Sequence, residues 1–291
     1  MKILILGGTG MLGHELVKQF SKKYEVFTTI RRKRILAISS IFKNIIDEDR
    51  FFFIDNINQS DEINDTIKKL SPEILINCVG SIKQKIDKDN VNDIKSMFRV
   101  NTNFPHTLSE ICSQNNIKLI HFSTDCVFSG KKGNYKESDL TDPTDDYGKS
   151  KMLGEITNGN HLTIRTSFIG PELYSKSSFF EWVISNKNNE INGFDKAIYS
   201  GFTTQAFAPI LSEVIDEHKN LNGLLHMSSN PISKFDLIKL IDKVYKLNIK
   251  INRNSSFQCD RSLNSLKFRN KTKIIIPSWN DMIKNLYESE N

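Results

Sequence analysis

The stretch Ile3-Leu4-Ile5-Leu6-Gly7-Gly8-Thr9-Gly10-Met11-Leu12-Gly13 decides the fold. Ile3–Leu6 is a short apolar run that reads as a buried strand. Met11–Phe20 reads as a helix with Leu12, Leu16, Val17 and Phe20 on one face. Between them, Gly7, Gly10 and Gly13 have the spacing G-x-x-G-x-x-G. One glycine makes the tight turn and the next lets the backbone approach a pyrophosphate. The third lets helix and strand pack closely, with the phosphates at the helix N-terminus. A glycine triplet alone is a weak signal; a strand before it and a helix after it make it a strong one. Gly7, Thr9, Gly10, Met11, Leu12 and Gly13 are thus candidate cofactor-binding residues. A tight turn without ligand is the plainer alternative.

Outward from this turn, Glu25–Ile30, Phe51–Ile54, Ile74–Asn77, Lys118–Phe122 and Leu162–Arg165 read as further strands. Helical stretches lie near Glu62–Leu70 and Val91–Cys112. Apolar strands separated by helices predict a parallel sheet covered on both faces, a doubly wound α/β domain. After about Gly170 the pattern is less regular. Glu172–Gly201 is polar and loop-rich, with one helix at Phe179–Ser185. Thr204–Glu217 and Lys234–Tyr245 read as helices, and Gly223–His226 as a strand returning to the sheet. The tail passes Pro277-Ser278-Trp279 and ends polar. Residues 1–169, rejoined by 201–228, are expected to form a Rossmann domain. Residues 170–200 and 229–291 are expected to form a smaller, interleaved substrate-binding lobe.

The chain has 291 residues, 38% apolar and 25% charged, which suits a globular protein with a sizeable core. No apolar run approaches the ~20 residues of a membrane span. The first apolar run breaks at Gly7, too early for a signal peptide, so a cytoplasmic location is expected. Forty Lys+Arg against 34 Asp+Glu give a net charge of +6. That charge is spread without an arginine-rich arm or an aromatic RNA motif, which speaks against nucleic acid. Cys78, Cys112, Cys126 and Cys259 form no C-x-x-C pair, so neither a metal site nor a disulfide framework is expected.

The second strand ends in Thr28-Thr29-Ile30-Arg31-Arg32-Lys33-Arg34, where an acidic residue would favour NAD. Arg31 and Arg32 can pair with a 2′-phosphate, which favours NADP, with NAD still possible. A solvated basic loop is the alternative. Asp55 is placed either to accept from an adenine amine or to cap the following segment.

Tyr147-Gly148-Lys149-Ser150-Lys151 contains Y-x-x-x-K, which on a helix puts both side chains on one face. An ammonium beside a phenol stabilises the phenolate and makes tyrosine usable as an acid or base. Upstream, Ile120-His121-Phe122-Ser123-Thr124-Asp125-Cys126 is a strand ending in hydroxyls. Glycine turn, strand-end hydroxyl and Y-x-x-x-K occur in this order.

With these segments the chain resembles the extended short-chain dehydrogenase/reductases, and more closely their dTDP-4-dehydrorhamnose reductase-like group. Asn77–Gly80, Val100-Asn101, Arg165-Thr166-Ser167, Ser200–Thr204 and Cys259–Ser262 also match, so the resemblance covers most of the chain. It implies that Thr124 holds the reacting sugar oxygen, Tyr147 donates the proton, and Lys151 holds the nicotinamide ribose. Cys78, Val79 and Gly80 would line the cofactor, with Asn101 nearby or serving as a buried structural amide. Ser81, Thr124, Asp125, Cys126, Thr203, Gln205 and Arg261 are the substrate-side candidates, Arg261 for a pyrophosphate or as a plain surface residue. The implied reaction is NADPH-dependent reduction of a nucleotide-linked 4-keto-6-deoxy sugar for surface polysaccharide. A homodimer is a possibility the family raises.

Three rivals share the fold. A 4,6-dehydratase pattern has Thr-Asp-Glu, and here Cys126 replaces the glutamate. In epimerase-reductases a cysteine matching Cys126 is a base with a histidine partner, but Tyr174–Trp182 contains no histidine. An inert thiol is the bland reading of Cys126. A non-catalytic NADP-binding regulatory subunit need not keep Thr124, Tyr147 and Lys151 together, as this chain does.

Overall fold

The computed structural model describes residues 1–34, 41–55 and 60–290. Its strands are β1 (Lys2–Leu6), β2 (Glu25–Ile30), β3 (Phe51–Phe53), β4 (Ile74–Asn77), β5 (Lys118–Thr124), β6 (Leu162–Thr166), β7 (Phe168–Ile169), β8 (Glu190–Tyr199), β9 (Phe202–Thr203), β10 (Gly223–His226), β11 (Ile232–Ser233) and β12 (Lys250–Asp260). Its α-helices are α1 (Met11–Phe20), α2 (Ser60–Leu70), α3 (Val91–Phe98), α4 (Phe104–Gln114), α5 (Asp146–Leu153), α6 (Phe179–Ser185), α7 (Thr204–Glu217), α8 (Lys234–Tyr245), α9 (Leu266–Thr272) and α10 (Trp279–Glu290). The chain forms two compact units. One comprises Met1–Ser123, Asp145–Ile164 and Asn220–Leu224; the other comprises Thr124–Thr144, Arg165–Lys219 and Leu225–Asn291.

A seven-stranded sheet in the order β10-β6-β5-β4-β1-β2-β3 organises the first unit. The pairs β1–β2, β1–β4, β2–β3 and β4–β5 are parallel. This is the doubly wound α/β architecture expected from the alternation of apolar strands and helices. Leu4 and Leu6 join Ile63, Ile67 and Leu70 of α2 and Leu108 and Cys112 of α4 in one buried cluster. Ile3 and Ile5 point to the other face and are equally buried. Fully burying each such side chain contributes about 1.5–3 kcal/mol. The strand order turns back at β1, with β2 and β3 on one side and β4 and β5 on the other. Open α/β sheets bind ligands at the carboxyl ends of strands at that point.

The helix expected over Val91–Cys112 is interrupted. α3 ends at Phe98, a π-helical turn occupies Arg99–Asn103, and α4 begins at Phe104. Pro105 explains the break, because it has no N–H to donate to the Asn101 carbonyl four residues back. The Phe104 N–H instead reaches the Arg99 carbonyl, five residues back.

In the second unit, β8 is the centre of a three-stranded sheet, paired antiparallel with β11 and parallel with β12. The Glu172–Gly201 segment, expected to be loop apart from one helix, therefore carries a ten-residue strand. Burial alternates along β8 only in part, with Ile191, Gly193, Ala197 and Tyr199 inward. Glu190, Asn192, Asp195 and Lys196 hide that pattern from a hydropathy reading. The polar tail is also structured. Ser278 Oγ accepts from the Asp281 N–H, and α10 buries Trp279, Met282, Ile283 and Leu286 at helical spacing. Among the described residues no helix is long and apolar enough to cross a membrane.

Candidate active site

The glycine turn opens at the end of β1. Gly7 has φ +80°, a left-handed conformation that favours glycine. Its N–H donates to Thr29 Oγ1 at 3.0 Å, which ties the turn to β2. A Cβ on Gly13 would stand 2.2 Å from the Gly7 carbonyl oxygen, so α1 lies as close to the turn as backbone permits. Gly10 caps α1 with no side-chain hydrogen bond, and the first turn carries no acidic residue. The first N–H groups of the helix are thus available to an anion.

A cavity of about 430 Å³ adjoins this turn. The carboxyl ends of the first four strands line it, through Leu6, Ile30, Ile54 and Cys78, as do Gly7, Thr9 and Gly10. Its polar wall includes Arg31, Arg34 and Asp55. Arg31 and Asp55, both candidates from the sequence, thus line this cavity. Arg32 is turned to Asp55, which accepts from its backbone N–H at 2.8 Å and lies 3.3 Å from its Nε. The guanidinium of Arg34, which the sequence reading left as part of a basic run, donates to Thr9 Oγ1 at 2.9 Å. Its spacing from the strand end was visible; its direction was not. The segment that Asp55 would cap, in the alternative reading, lies outside the described residues. Taken together, a glycine cradle that a Cβ would fill, an uncapped helix N-terminus and a basic wall fit a dinucleotide.

After β4, Cys78, Val79, Gly80 and Ser81 line the same cavity. Burial pushes the Cys78 thiol up, so it stays protonated and serves as packing. Asn101, at the π-helical turn, is fully buried. Its Oδ1 accepts from the Ser81 N–H at 2.8 Å, while Nδ2 donates to the Ser81 carbonyl at 2.9 Å and to Ser150 Oγ at 3.0 Å. This amide is fully engaged with protein, so it braces the cavity wall against α5.

Helix α5 carries Tyr147 and Lys151 one turn apart. Asp145 caps it by accepting from the Gly148 N–H at 2.8 Å. Ser150 Oγ donates to the Tyr147 carbonyl at 2.8 Å, which links the tyrosine's backbone to Asn101. Tyr147 is half-buried and Lys151 is buried. The Lys151 ammonium donates to the Phe122 carbonyl at 2.6 Å, and burial lowers its pKa to about 8 against the pull of Glu155. His121 is held neutral by burial and by the Lys151 charge. Thr124 follows Phe122 by two residues along β5.

In the second unit, Thr124 Oγ1 accepts from the Cys126 N–H and donates to Asp125 Oδ1, both at 3.2 Å. Arg261 Nη1 donates to Cys126 Sγ at 3.3 Å, and its Nη2 to Thr144 Oγ1 at 3.4 Å. Arg261 and Cys126, far apart in sequence, are thus brought together. Thr203 is fully buried and caps α7, with Oγ1 accepting from the Ala206 N–H at 3.2 Å. Gln205 lies in the first turn of that helix. Sequence reasoning missed Lys234, the first residue of α8, whose ammonium lies 3.9 Å from the Phe179 ring centroid and 4.1 Å from that of Tyr199. No local pattern could have shown it, because its surroundings come from three separate segments.

Similarity to known proteins follows the same lines. A dTDP-4-dehydrorhamnose reductase of Aggregatibacter actinomycetemcomitans is 27% identical over 246 residues, covering 81% of this chain and 76% of that protein. The spore coat polysaccharide biosynthesis protein SpsK of Bacillus subtilis is 25% identical over 239 residues, covering 79% and 74%. Among solved structures, a dTDP-4-dehydrorhamnose reductase of Bacillus anthracis in complex with NADP superposes with a TM-score of 0.79 at 20% identity, over 99% of both chains. The family described as the RmlD substrate binding domain matches residues 1–290. The chain belongs to that family and is an extended short-chain dehydrogenase/reductase of the dTDP-4-dehydrorhamnose reductase type.

Proposed function

We propose that this protein is an NADPH-dependent reductase of a nucleotide-linked 4-keto-6-deoxy sugar, acting in the synthesis of a deoxysugar for surface polysaccharide. The observation that carries the reading is Lys151: a buried ammonium fixed on the Phe122 carbonyl, one helical turn from Tyr147, in the unit that holds the glycine cradle. The names of the relatives supply the substrate class.

The nicotinamide supplies the hydride when it is bound. Gly7, Gly10 and Gly13 admit its pyrophosphate to the N-terminus of α1. Arg31 and Arg34 on the cavity wall meet the 2′-phosphate, which is the reason for preferring NADPH. Tyr147 holds the proton that passes to the ketone oxygen. Lys151 stabilises the charge left on the phenol oxygen and takes the ribose hydroxyls. Thr124 donates to the same substrate oxygen. Arg261 and Cys126 of the second unit are the groups proposed for the sugar nucleotide. Without an acid in place of Cys126, the segment after Thr124 lacks the second carboxylate that dehydration requires.

The test is nicotinamide oxidation with a panel of 4-keto-6-deoxy nucleotide sugars, using NADPH and NADH in parallel. Turnover with one nucleotide class, faster with NADPH, is expected. In Tyr147→Phe turnover should fall by about 10²–10⁴-fold, the usual weight of a general acid, with NADPH affinity unchanged. Full activity in that variant would overturn the assignment.

A further inference from the structure

Among the described residues of the second unit, Lys234 is a cation whose surroundings call for a ligand. It stands at the first position of α8, directly after the capping Ser233. A cation at a helix N-terminus meets the wrong end of the helix dipole. Its ammonium is held between two ring faces, Phe179 at 3.9 Å and Tyr199 at 4.1 Å. No hydrogen bond or ion pair from it is found among the described residues. Ring faces offset only part of what a lysine loses on leaving water. Burial accordingly lowers its pKa to about 8, opposed by the nearby carboxylate of Asp125. The Tyr199 hydroxyl is also buried without a hydrogen-bond partner. Both groups therefore belong to the neighbourhood of the segment that carries Thr124, and Arg261 reaches Cys126 in the same unit.

We infer that Lys234 is an anion-binding residue of the sugar-nucleotide site: its ammonium donates to an oxygen of the ligand's diphosphate. This rests on the sugar-nucleotide reading above and adds a contact which that reading does not assign. An anionic oxygen supplies the hydrogen bond and countercharge that Phe179 and Tyr199 cannot. Phe179 and Tyr199 act as positioning residues that fix where the ammonium stands.

The experiment is calorimetric titration of the whole chain, saturated with NADP, with UDP, dTDP, UDP-glucose and UDP-glucuronate. Wild type, Lys234→Met and Lys234→Arg are compared, with NADP affinity as the check on folding. Lys234→Met should weaken binding about tenfold or more, as expected for one charge-assisted hydrogen bond, and Lys234→Arg should recover most of it. An equal loss for all four ligands assigns the diphosphate. A loss confined to UDP-glucuronate overturns the diphosphate assignment. Wild-type affinity in Lys234→Met, with NADP binding intact, overturns the inference while the sugar-nucleotide reading stands. Failure of wild type to bind any of the four sinks that reading and the inference with it. If Lys234→Met does not fold, acylation footprinting of wild type decides. Protection of Lys234 by UDP supports the assignment, and labelling unchanged at saturation refutes it.

Discussion

Two polar side chains, the buried Asn101 in one unit and the half-buried Lys234 in the other, are treated in opposite ways. Asn101 spends its amide on three protein contacts, two to Ser81 and one to Ser150. Lys234 meets two aromatic faces and, among the described residues, no hydrogen-bond partner. A buried polar group that is fully satisfied holds the structure rigid; one left wanting costs stability until a ligand arrives. The first unit is therefore braced before anything binds, whereas the second keeps a charge in reserve.

This contrast can be broken at several points. The largest effect is expected from Gly13→Val. Its Cβ would meet the Gly7 carbonyl oxygen at 2.2 Å, and backbone cannot step aside as a side chain can. A loss of about 3 kcal/mol or more in urea unfolding is expected, together with loss of dinucleotide binding. Asn101→Ala comes next. It leaves the Ser81 N–H and carbonyl without the amide, and about 2 kcal/mol should go, since each buried group left unpaired costs about 1–3 kcal/mol. NADPH affinity should fall with it, as Ser81 lines the cavity. Unchanged melting and affinity would show that the amide does not brace the wall.

The smallest effect is a pH dependence shared by both units. Lys151 and Lys234 each have a pKa near 8 in the fold, lowered by burial from 10.5. Between pH 8 and 10.5 the unfolded chain holds protons at these sites that the folded chain has released. Stability from these two groups therefore rises with pH through that window. Below pH 8 both are charged in either state and their full penalty applies. Lys151→Met should make the pH dependence of urea unfolding shallower over this range. A slope identical to wild type would show that Lys151 titrates normally.

The same contrast governs what could be read beforehand. Strand Glu25–Ile30 and helices Met11–Phe20, Phe179–Ser185, Thr204–Glu217 and Lys234–Tyr245 were readable to the residue. Each buries a continuous or evenly spaced apolar set against a neighbour. The π-helical turn at Asn101 was not legible, since Pro105 only forbids one hydrogen bond and does not say how the chain adjusts. β12 was missed because most of its residues are exposed and polar, so its pairing with β8 leaves no hydrophobic trace. At the candidate site, the glycine turn and Y-x-x-x-K are local patterns. The turn of Arg32 to Asp55, the reach of Arg34 to Thr9 and the aromatic box around Lys234 depend on residues that meet only after folding.

The parallel pairing of β8 with β12 has a consequence for the order of assembly. Lys250 meets Glu190 across sixty residues of chain, and helices α7 and α8 lie within that crossover. Closing so long a loop must precede any of the ladder's hydrogen bonds, which makes such contacts slow to form. During synthesis, β8 emerges well before its partner strand exists. Until residue 260 has left the ribosome, one edge of β8 stays unpaired, and the nascent second unit is open to wrong strand partners.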